Sequence, residues 1–318
     1  MRAERRVIRV LASPASLKGV LSARDAAAAL AEGIRAGGAS AAELPIADGG
    51  EGTADVLAHA LGVRATDEVD VHDAFGRPTS APVRYLADGT AVVEAADAIP
   101  LDPSRLDPLA ASSRGLGELL LRVRECPLLL VCLGGTATMD AGAGLRGLAL
   151  ELPAPTRALC DVRATLRQAP RLFGPQKGAS AEQVALLERR FASLDDLAAY
   201  AELPGSGAAG GLGAALAALG AELVPGAPEV LDRIGFRARA RRAVVVITGE
   251  GVVDETTALG KAPAEALRVC RQLGVRCVVF GGRVEASLEG AEMEQLSGDP
   301  ARARDDLVAL GLRLAGGA

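Results

Sequence analysis

Charged side chains in this sequence gather in short runs that are rich in glycine. Asp48 and Glu51 lie in the run Asp-Gly-Gly-Glu-Gly, and Glu250 and Asp254 lie in a similar run nearer the C-terminus. Glycine lets a loop come close to a ligand, and carboxylates combine with water and phosphate oxygens to bind Mg²⁺. Both runs therefore indicate a site for a metal-bound phosphate. A helix-capping turn with solvated acids is the alternative for the first run.

Lysines and small residues in the same kind of loop suit an anion. Ser16 and Lys18 precede a predicted helix, Lys177 comes just before a predicted helix cap, and Lys261 stands at another helix start. Free backbone N–H groups at a helix start, with a lysine beside them, favour phosphate or carboxylate. The alternatives are a solvated lysine in a turn and a tight strand-to-helix turn. The small residues with the same potential are Gly49, Gly50, Gly134, Gly135, Thr136 and Thr138.

The predicted elements place these loops at one edge of a sheet. The order strand–helix–strand–helix at the start of the chain is typical of a parallel sheet, and ligands bind where parallel strands end. Apolar runs predict buried strands, and four of them are expected to share one largely parallel sheet: 7–12, 128–133, 243–247 and 276–280. A weaker strand is predicted at 41–44. Helices are predicted at 22–35, 53–62 and 117–124, from the capping box at 180–183, after Pro263 and beyond Asp299.

A second region interrupts this pattern. Asp88-Gly89 joins two β-rich runs at 82–87 and 90–95, which is typical of a hairpin. The fold class is therefore predicted as α/β, with a doubly wound, mostly parallel sheet and a second, inserted α/β lobe. Residues 1–64, 112–150 and 240–318 are assigned to the first domain, and residues 65–111 and 151–239 to the inserted lobe.

Composition and missing motifs exclude several classes of function. The 35 basic and 40 acidic residues give a formal charge of −5, and aromatic residues make up 2%, which disfavours nucleic-acid and membrane-surface binding. Two histidines exclude a histidine-rich zinc site. The sequence has no Walker P-loop, and its two G-x-G-x-x-G runs lack the context of a dinucleotide site.

The cysteines and the apolar runs indicate the cellular compartment in which the protein is expected. The five cysteines are widely spaced and form no C-x-x-C pair, which favours reduced thiols in the cytoplasm. The longest apolar runs are too short to span a bilayer, and no signal peptide is predicted at the N-terminus.

Taken in order, these motifs resemble those of the glycerate kinase family over nearly the whole chain. The most specific are Ala-Asp-Gly-Gly-Glu-Gly-Thr at 47–53 and Phe-Gly-Pro-Gln-Lys-Gly at 173–178. The other matching segments are 14–23, 75–78, 134–144, 160–162, 207–213, 248–254 and 260–263.

The resemblance implies a kinase with its active site in the cleft between two domains. It implies ATP and glycerate as substrates, Mg²⁺ as the metal, and phosphoglycerate as the product. Asp161, Lys18 and Lys177 are expected to be catalytic, with Asp161 orienting or deprotonating the acceptor hydroxyl. The expected metal ligands, facing one cleft, are Asp48, Glu51 and Asp254. The expected substrate- and nucleotide-binding residues are Ser16, Gly49, Gly50, Gly134, Gly135, Thr136, Thr138, Glu250 and Lys261.

Five positions depart from the family pattern. Polar residues of the family are replaced at Ala15, Met139, Ala164, Val252 and Thr256. These changes keep two alternatives open. One is a non-catalytic or altered-specificity homologue that binds a small organic acid or a nucleotide. The other is a kinase for a different hydroxy acid or polyol.

Overall fold

The chain forms two compact units, each with its own β-sheet. A computed structural model describes residues 8–153 and 155–316. Unit 1 comprises Met1–Ala47 with Ala227–Ala318, and unit 2 comprises Asp48–Gly226. These bounds differ from the predicted ones: residues 48–64 and 112–150 lie in unit 2, and residues 227–239 lie in unit 1. Whether the site lies in a cleft between the units stays a prediction.

The strands divide cleanly between the two sheets. Within the described part of the chain they are β1 (Ile8–Ala12), β2 (Ala41–Glu43), β3 (Val63–His72), β4 (Pro78–Leu86), β5 (Ala91–Glu94), β6 (Leu129–Cys132), β7 (Thr156–Cys160), β8 (Glu222–Pro225), β9 (Ala243–Val253), β10 (Arg276–Val284) and β11 (Glu292–Gln295).

The helices connect these strands and cover the sheets. In the same described residues they are α1 (Ala23–Ala36), α2 (Thr53–Leu61), α3 (Ala95–Ala98), α4 (Arg114–Leu120), α5 (Ala143–Arg146), α6 (Ala169–Phe173), α7 (Ala181–Ala192), α8 (Ala208–Ala218), α9 (Gly226–Arg233), α10 (Phe236–Ala240), α11 (Ala262–Leu273) and α12 (Ala303–Ala315). α8 includes a left-handed stretch at residues 209–211.

Unit 1 is a parallel sheet with both faces covered. Its order is β11-β10-β9-β1-β2, and all of its pairings are parallel. Val245 and Ile247 of β9 pack in one apolar cluster with residues of α1 and α12. Val246 lies between them, so it faces the opposite side of the sheet, and it is also fully buried. The continuous apolar run in β9 follows from this two-sided burial.

Unit 2 is a mixed sheet in the order β3-β4-β5-β6-β7-β8. β3, β4 and β5 pair antiparallel, whereas β5, β6, β7 and β8 run parallel to one another. The hairpin predicted around Asp88-Gly89 is confirmed as the β4–β5 pair. The carboxyl ends of β5, β6 and β7 therefore lie side by side.

One strand was assigned to the wrong sheet. The run at 128–133 forms a buried strand, β6, but it lies between β5 and β7 in unit 2 and not beside β1, β9 and β10. An apolar run reports burial on both faces, which any central parallel strand has, and carries no information on its neighbours. The other three apolar runs do share the sheet of unit 1, although Val7 lies outside the described residues.

Local signals at helix ends were mostly read correctly. Ser22 caps α1 by accepting from the Asp25 N–H at 3.1 Å, and the capping box formed by Ser180 and Gln183 opens α7. The helix predicted from Thr53 begins at that residue, and Gly52 occupies the cap position. The Thr53 hydroxyl accepts from the Gly49 N–H at 3.1 Å, which ties the loop before the helix to its first turn.

Candidate active site

The loops at the carboxyl ends of β5, β6 and β7 form one polar cluster in unit 2. β5 ends at Glu94, β6 runs into the loop 134–138, and β7 is followed directly by Asp161. Open α/β sheets bind ligands at such strand ends. Several of the predicted site residues of unit 2 lie at this edge.

The loop of residues 48–53, the 48–53 loop, is fastened to the end of β6. The carbonyl of Gly49 accepts from the Leu133 N–H at 3.0 Å. A Cβ on Gly49, whose φ is +92°, would lie 3.0 Å from the Leu159 carbonyl oxygen. Only glycine adopts this backbone easily and fits this space, so the side chains of Asp48 and Glu51 are carried on a closely packed support.

Two glycines bring the 48–53 loop against the loop after β6. A Cβ on Gly134 would lie 2.4 Å from Gly50 Cα and 2.9 Å from Asp161 Oδ2. A Cβ on Gly135 would lie 3.4 Å from Glu51 Oε2. Glu51 and Asp161 are therefore grouped around Gly134 and Gly135.

Lys177 is a buried lysine in this cluster. Its side chain is 4% exposed, and its ammonium donates to the Thr138 carbonyl at 2.8 Å and to the Thr136 hydroxyl at 3.4 Å. Burial lowers the pKa of Lys177 to about 8, while the charges of Asp161 and Asp140 act in the opposite direction. Such a lowered value is typical of lysines at functional sites.

The position of Lys177 differs from the expected helix start. It ends a short 3₁₀ turn, Pro175–Lys177, and Gly178 and Ala179 separate it from the Ser180 cap of α7. Its charge is therefore directed at the 136–138 loop and not at the first turn of α7. The chain contains only three lysines among 35 basic residues, and each lies in one of the predicted site motifs: Lys18, Lys177 and Lys261.

Asp140 anchors the loop that follows Thr138. Its carboxylate accepts from the N–H groups of Ser113, Gly142 and Gly144 at 2.8, 3.0 and 3.1 Å. Four hydrogen bonds, including one from the Ser113 hydroxyl, give this carboxylate a structural role. Asp140 thereby fixes the segment that carries Thr136 and Thr138.

Sequence reasoning missed Glu94, a buried carboxylate beneath the 48–53 loop. Its side chain is 5% exposed and accepts from the Ala54 N–H at 2.7 Å and the Gly52 N–H at 3.2 Å. Burial raises the pKa of Glu94 to about 7, which the hydrogen bond from Ala54 opposes. The signal that points to Glu94 in the sequence is a single acidic residue at the end of the apolar strand β5.

The predicted residues of unit 1 form a separate cluster around β9. β9 was expected to end before Glu250, but it continues to Val253, so Glu250 projects from the strand itself. The Thr257 hydroxyl donates to Glu250 Oε1 at 2.7 Å and accepts from the Asp254 N–H at 3.1 Å. The Lys261 ammonium lies 3.6 Å from Glu250 and 3.7 Å from Asp254.

The hydrogen bonds and charges of this cluster favour the ionised form of Asp254. The Thr256 hydroxyl donates to Asp254 Oδ1 at 2.5 Å and lowers the pKa of that carboxyl, and the Lys261 charge adds to the effect. Thr256, one of the departures from the family pattern, thus supports the carboxylate. Lys261 occupies the cap position of α11, as predicted.

Ser16 and Lys18 lie in a turn of unit 1. The turn between β1 and α1 is closed by Leu17 and Leu21, with Lys18 exposed and Ser16 half-buried. The Ala15 N–H donates to the Gly249 carbonyl at 2.9 Å, which holds the start of this turn against β9. Lys18 is thus on the surface of the loop that follows β1.

The departure at Met139 is accommodated by apolar packing. Its side chain is 1% exposed and belongs to a cluster with Leu166, Leu187 and Phe191. A polar residue is therefore replaced at a position that is core in this chain. The change leaves the hydrogen bonds of Lys177 to Thr136 and Thr138 in place.

The expected metal ligands divide between the units. Asp48 and Glu51 belong to unit 2, and Asp254 belongs to unit 1. Among the described residues, no group of three or more His, Cys, Asp or Glu side chains is arranged to hold a metal ion by itself. A single shared metal site for all three carboxylates stays a prediction.

Comparison with known proteins links this chain to one family along its length. The sequence profile of the glycerate kinase family matches residues 10–153 and 152–298. A glycerate kinase from Bacillus subtilis (strain 168) is 31% identical, over 87% of this chain and 85% of that protein. A glycerate 2-kinase from Escherichia coli (strain K12) is 32% identical, over 83% of this chain and 82% of that protein.

A solved structure shares the fold. The crystal structure of a protein from Salmonella typhimurium LT2, assigned as a glycerate kinase 2, superposes with a TM-score of 0.77. It is 28% identical in sequence, and the match covers 98% of each chain.

No helix in the described residues has the length and apolar character needed to cross a membrane.

Proposed function

The chain belongs to the glycerate kinase family and is an ATP-dependent kinase, and we propose that the loops described above transfer the γ-phosphoryl group of ATP to a hydroxyl of glycerate. The observation that supports this assignment of the site is the position of Asp161 beside Gly50 and Gly134, together with its charge interaction with the buried Lys177. Phosphoryl transfer depends chiefly on positioning and charge neutralisation, and a buried ammonium beside a carboxylate supplies both.

The transfer itself exchanges one P–O bond for another. The acceptor hydroxyl oxygen of glycerate bonds to the γ-phosphorus, the bond to the β–γ bridging oxygen breaks, and ADP leaves with that electron pair. Asp161 accepts the proton of the hydroxyl. Lys177 offsets the negative charge that gathers on the γ-phosphoryl oxygens.

The remaining lysines and several backbone groups are the proposed binding sites for the phosphates and the carboxylate of the substrates. Lys18 lies exposed in its turn, where a flexible ammonium can reach a phosphate or carboxylate. Lys261 caps α11, whose first-turn N–H groups favour an anion. Phosphate oxygens pack against residues that allow close approach of the backbone: Gly49, Gly50, Gly134, Gly135 and Thr136.

The carboxylates fit a magnesium ion that arrives with the nucleotide. Mg²⁺ is usually held by one or two carboxylates together with substrate phosphates and water, so a closed protein cage is not needed. The carboxylates of Asp48 and Glu51 on the 48–53 loop provide oxygen ligands for the ion. Asp254 adds an ionised carboxylate in unit 1. When bound, the ion supplies charge neutralisation on the phosphates.

A coupled assay of ADP release tests this function. With Mg-ATP, the protein should release ADP when glycerate is added and not when propanoate, which lacks both hydroxyls, replaces it. Asp161→Asn should lower kcat by about 10²-fold or more, the usual effect of removing a positioned base. Asp195→Asn, at an exposed position, is the matched control and should leave kcat unchanged.

The two parts of the proposal fail separately. If the wild-type protein releases no ADP in response to glycerate, the proposed reaction is wrong. If wild type is active and Asp161→Asn retains full turnover, the reaction stands and the role given to Asp161 is wrong.

A further inference from the structure

Glu94 is placed to control the shape of the 48–53 loop without being part of it. It ends β5, and β5 pairs with β6 so that Glu94 lies opposite Cys132. From this position both of its carboxylate oxygens reach the backbone of the loop and of the helix that follows. Oε1 accepts from the Ala54 N–H at 2.7 Å, and Oε2 accepts from the Gly52 N–H at 3.2 Å.

These bonds satisfy the free N–H groups at the start of α2. The first N–H groups of a helix have no partner within the helix, and side chains near the cap usually supply one. Gly52 at the cap has no side chain, so it cannot do so. A carboxylate 42 residues away in sequence, on β5, takes this role and lies at the positive end of α2.

We propose that Glu94 is a positioning residue, whose carboxylate clamps the start of α2 and thereby holds Asp48 and Glu51 in the geometry needed for phosphoryl transfer. This inference rests on the function proposed above for the 48–53 loop. Glu94 acts through the backbone of Gly52 and Ala54, which carries the loop.

The clamp needs the ionised carboxylate. A protonated carboxyl has a donor on one oxygen, so one of the two backbone N–H groups loses its acceptor. Burial raises the pKa of Glu94 to about 7. The charged groups that face it are Asp97 of α3, which also raises the pKa, and Arg84 of β4, which lowers it. The Cys132 thiol of β6 is buried with a raised pKa.

Arg84 cannot easily take over as the partner of Glu94. Its Nη1 donates to Asp97 at 2.8 Å, and its Nη2 lies 3.4 Å from Asp55 of α2. The guanidinium is thus engaged by two other carboxylates. The backbone N–H groups of Gly52 and Ala54 remain the principal hydrogen-bond donors to Glu94.

Glu94→Gln tests the clamp through the pH dependence of turnover. The amide keeps one acceptor and never ionises, so the variant corresponds to the protonated wild-type residue at every pH. The kcat/KM ratio of wild type to Glu94→Gln should be about tenfold higher at pH 8 than at pH 6, because a group with a pKa near 7 ionises over this interval. Glu265→Gln, at a buried carboxylate that pairs with Arg268 in unit 1, is the matched control. The kcat/KM ratio of wild type to Glu265→Gln should be the same at pH 6 and at pH 8.

Thermal unfolding distinguishes a positioning role of Glu94 from a purely structural role. Because a raised carboxyl pKa means that the charged form is costly to bury, Glu94→Gln should unfold at a temperature no lower than wild type at pH 8. A constant kcat/KM ratio across pH, or a loss of activity that follows a lowered unfolding temperature, would overturn the inference.

Hydrogen exchange provides a readout that does not depend on turnover. At pH 8, Glu94→Gln should raise the exchange rate of residues 50–56 by about tenfold or more, with no change in α11. Unchanged exchange in residues 50–56 would disprove the clamp. If exchange responds but wild type has no glycerate-dependent turnover, the clamp stands and the proposed function of the loop is wrong.

Discussion

The buried ammonium of Lys177 should make the stability of the protein depend on pH in a measurable way. Its pKa is about 8 in the folded protein, against 10.5 for the free side chain. The unfolded chain therefore binds this proton more tightly, and stability from this group rises with pH. The cost of burying the ammonium is complete below the folded pKa and disappears above the unfolded one.

The magnitude follows from the two pKa values. At pH 7 the ammonium costs about 3 kcal/mol of folding free energy, since each unit of pKa difference corresponds to about 1.4 kcal/mol. Between pH 7 and pH 9 the folded lysine loses most of its proton while the unfolded one keeps it. The wild-type protein should thereby gain about 1 kcal/mol from Lys177 alone.

Lys177→Met isolates this contribution. Methionine is unbranched and apolar, so it fills much of the same space without a charge. Denaturant unfolding at pH 7 and pH 9 gives the stability of both proteins, and the wild-type value should rise by about 1 kcal/mol relative to the variant. Lys18→Met, at an exposed position, removes no buried charge and should show no such relative rise.

Any stability that Lys177→Met gains should be accompanied by a loss of activity. Loss of a charge that stabilises a transition state typically lowers kcat by about 10²-fold or more. If the stability difference between wild type and Lys177→Met is the same at pH 7 and pH 9, the lysine is not a desolvated cation. The electrostatic argument for its role would then fail.

Two further changes test the packing of the site. Gly134→Ala places a Cβ 2.4 Å from Gly50 Cα, so it should cost about 1–3 kcal/mol and reduce kcat/KM by about 10²-fold. Gly147→Ala meets nothing closer than 3.5 Å and should be close to neutral in denaturant unfolding and in turnover. Thr257→Val removes the hydroxyl shared by Glu250 and the Asp254 N–H, and unfolding should show a loss of about 1–3 kcal/mol. Retention of wild-type stability by Thr257→Val would mean that this hydroxyl does not hold the two acids in place.

Sequence patterns predicted those elements whose signal is local. The cap at Ser22, the box at Ser180 and the turn at Asp88-Gly89 each combine a side-chain acceptor or a glycine with a fixed spacing, and the structure contains all three. β3 was not predicted at all. It is an edge strand with an exposed face, and exposed polar residues such as Glu68 and Asp70 alternate with more buried ones along it, so it has no apolar run.

The site was only partly accessible to the same reasoning, because its critical contacts join distant segments. The motif at 48–53 indicates a ligand loop, but nothing local links it to Glu94 or to Gly134. Lys177 was placed at a helix start by its spacing from Ser180, whereas its ammonium turns to Thr138, 39 residues away in sequence. The scarcity of lysine in the chain was a usable sign that was not read.

The two ends of unit 2 meet. A Cβ on Gly226, the last residue of the unit, would lie 2.0 Å from the carbonyl oxygen of Asp48, the first. Since consecutive Cα atoms are about 3.8 Å apart, Ala47 and Ala227 are held near each other by the same contact. The chain thus leaves and rejoins unit 1 at almost one point. To unit 1, the folded unit 2 therefore adds the entropic cost of closing only a very short loop.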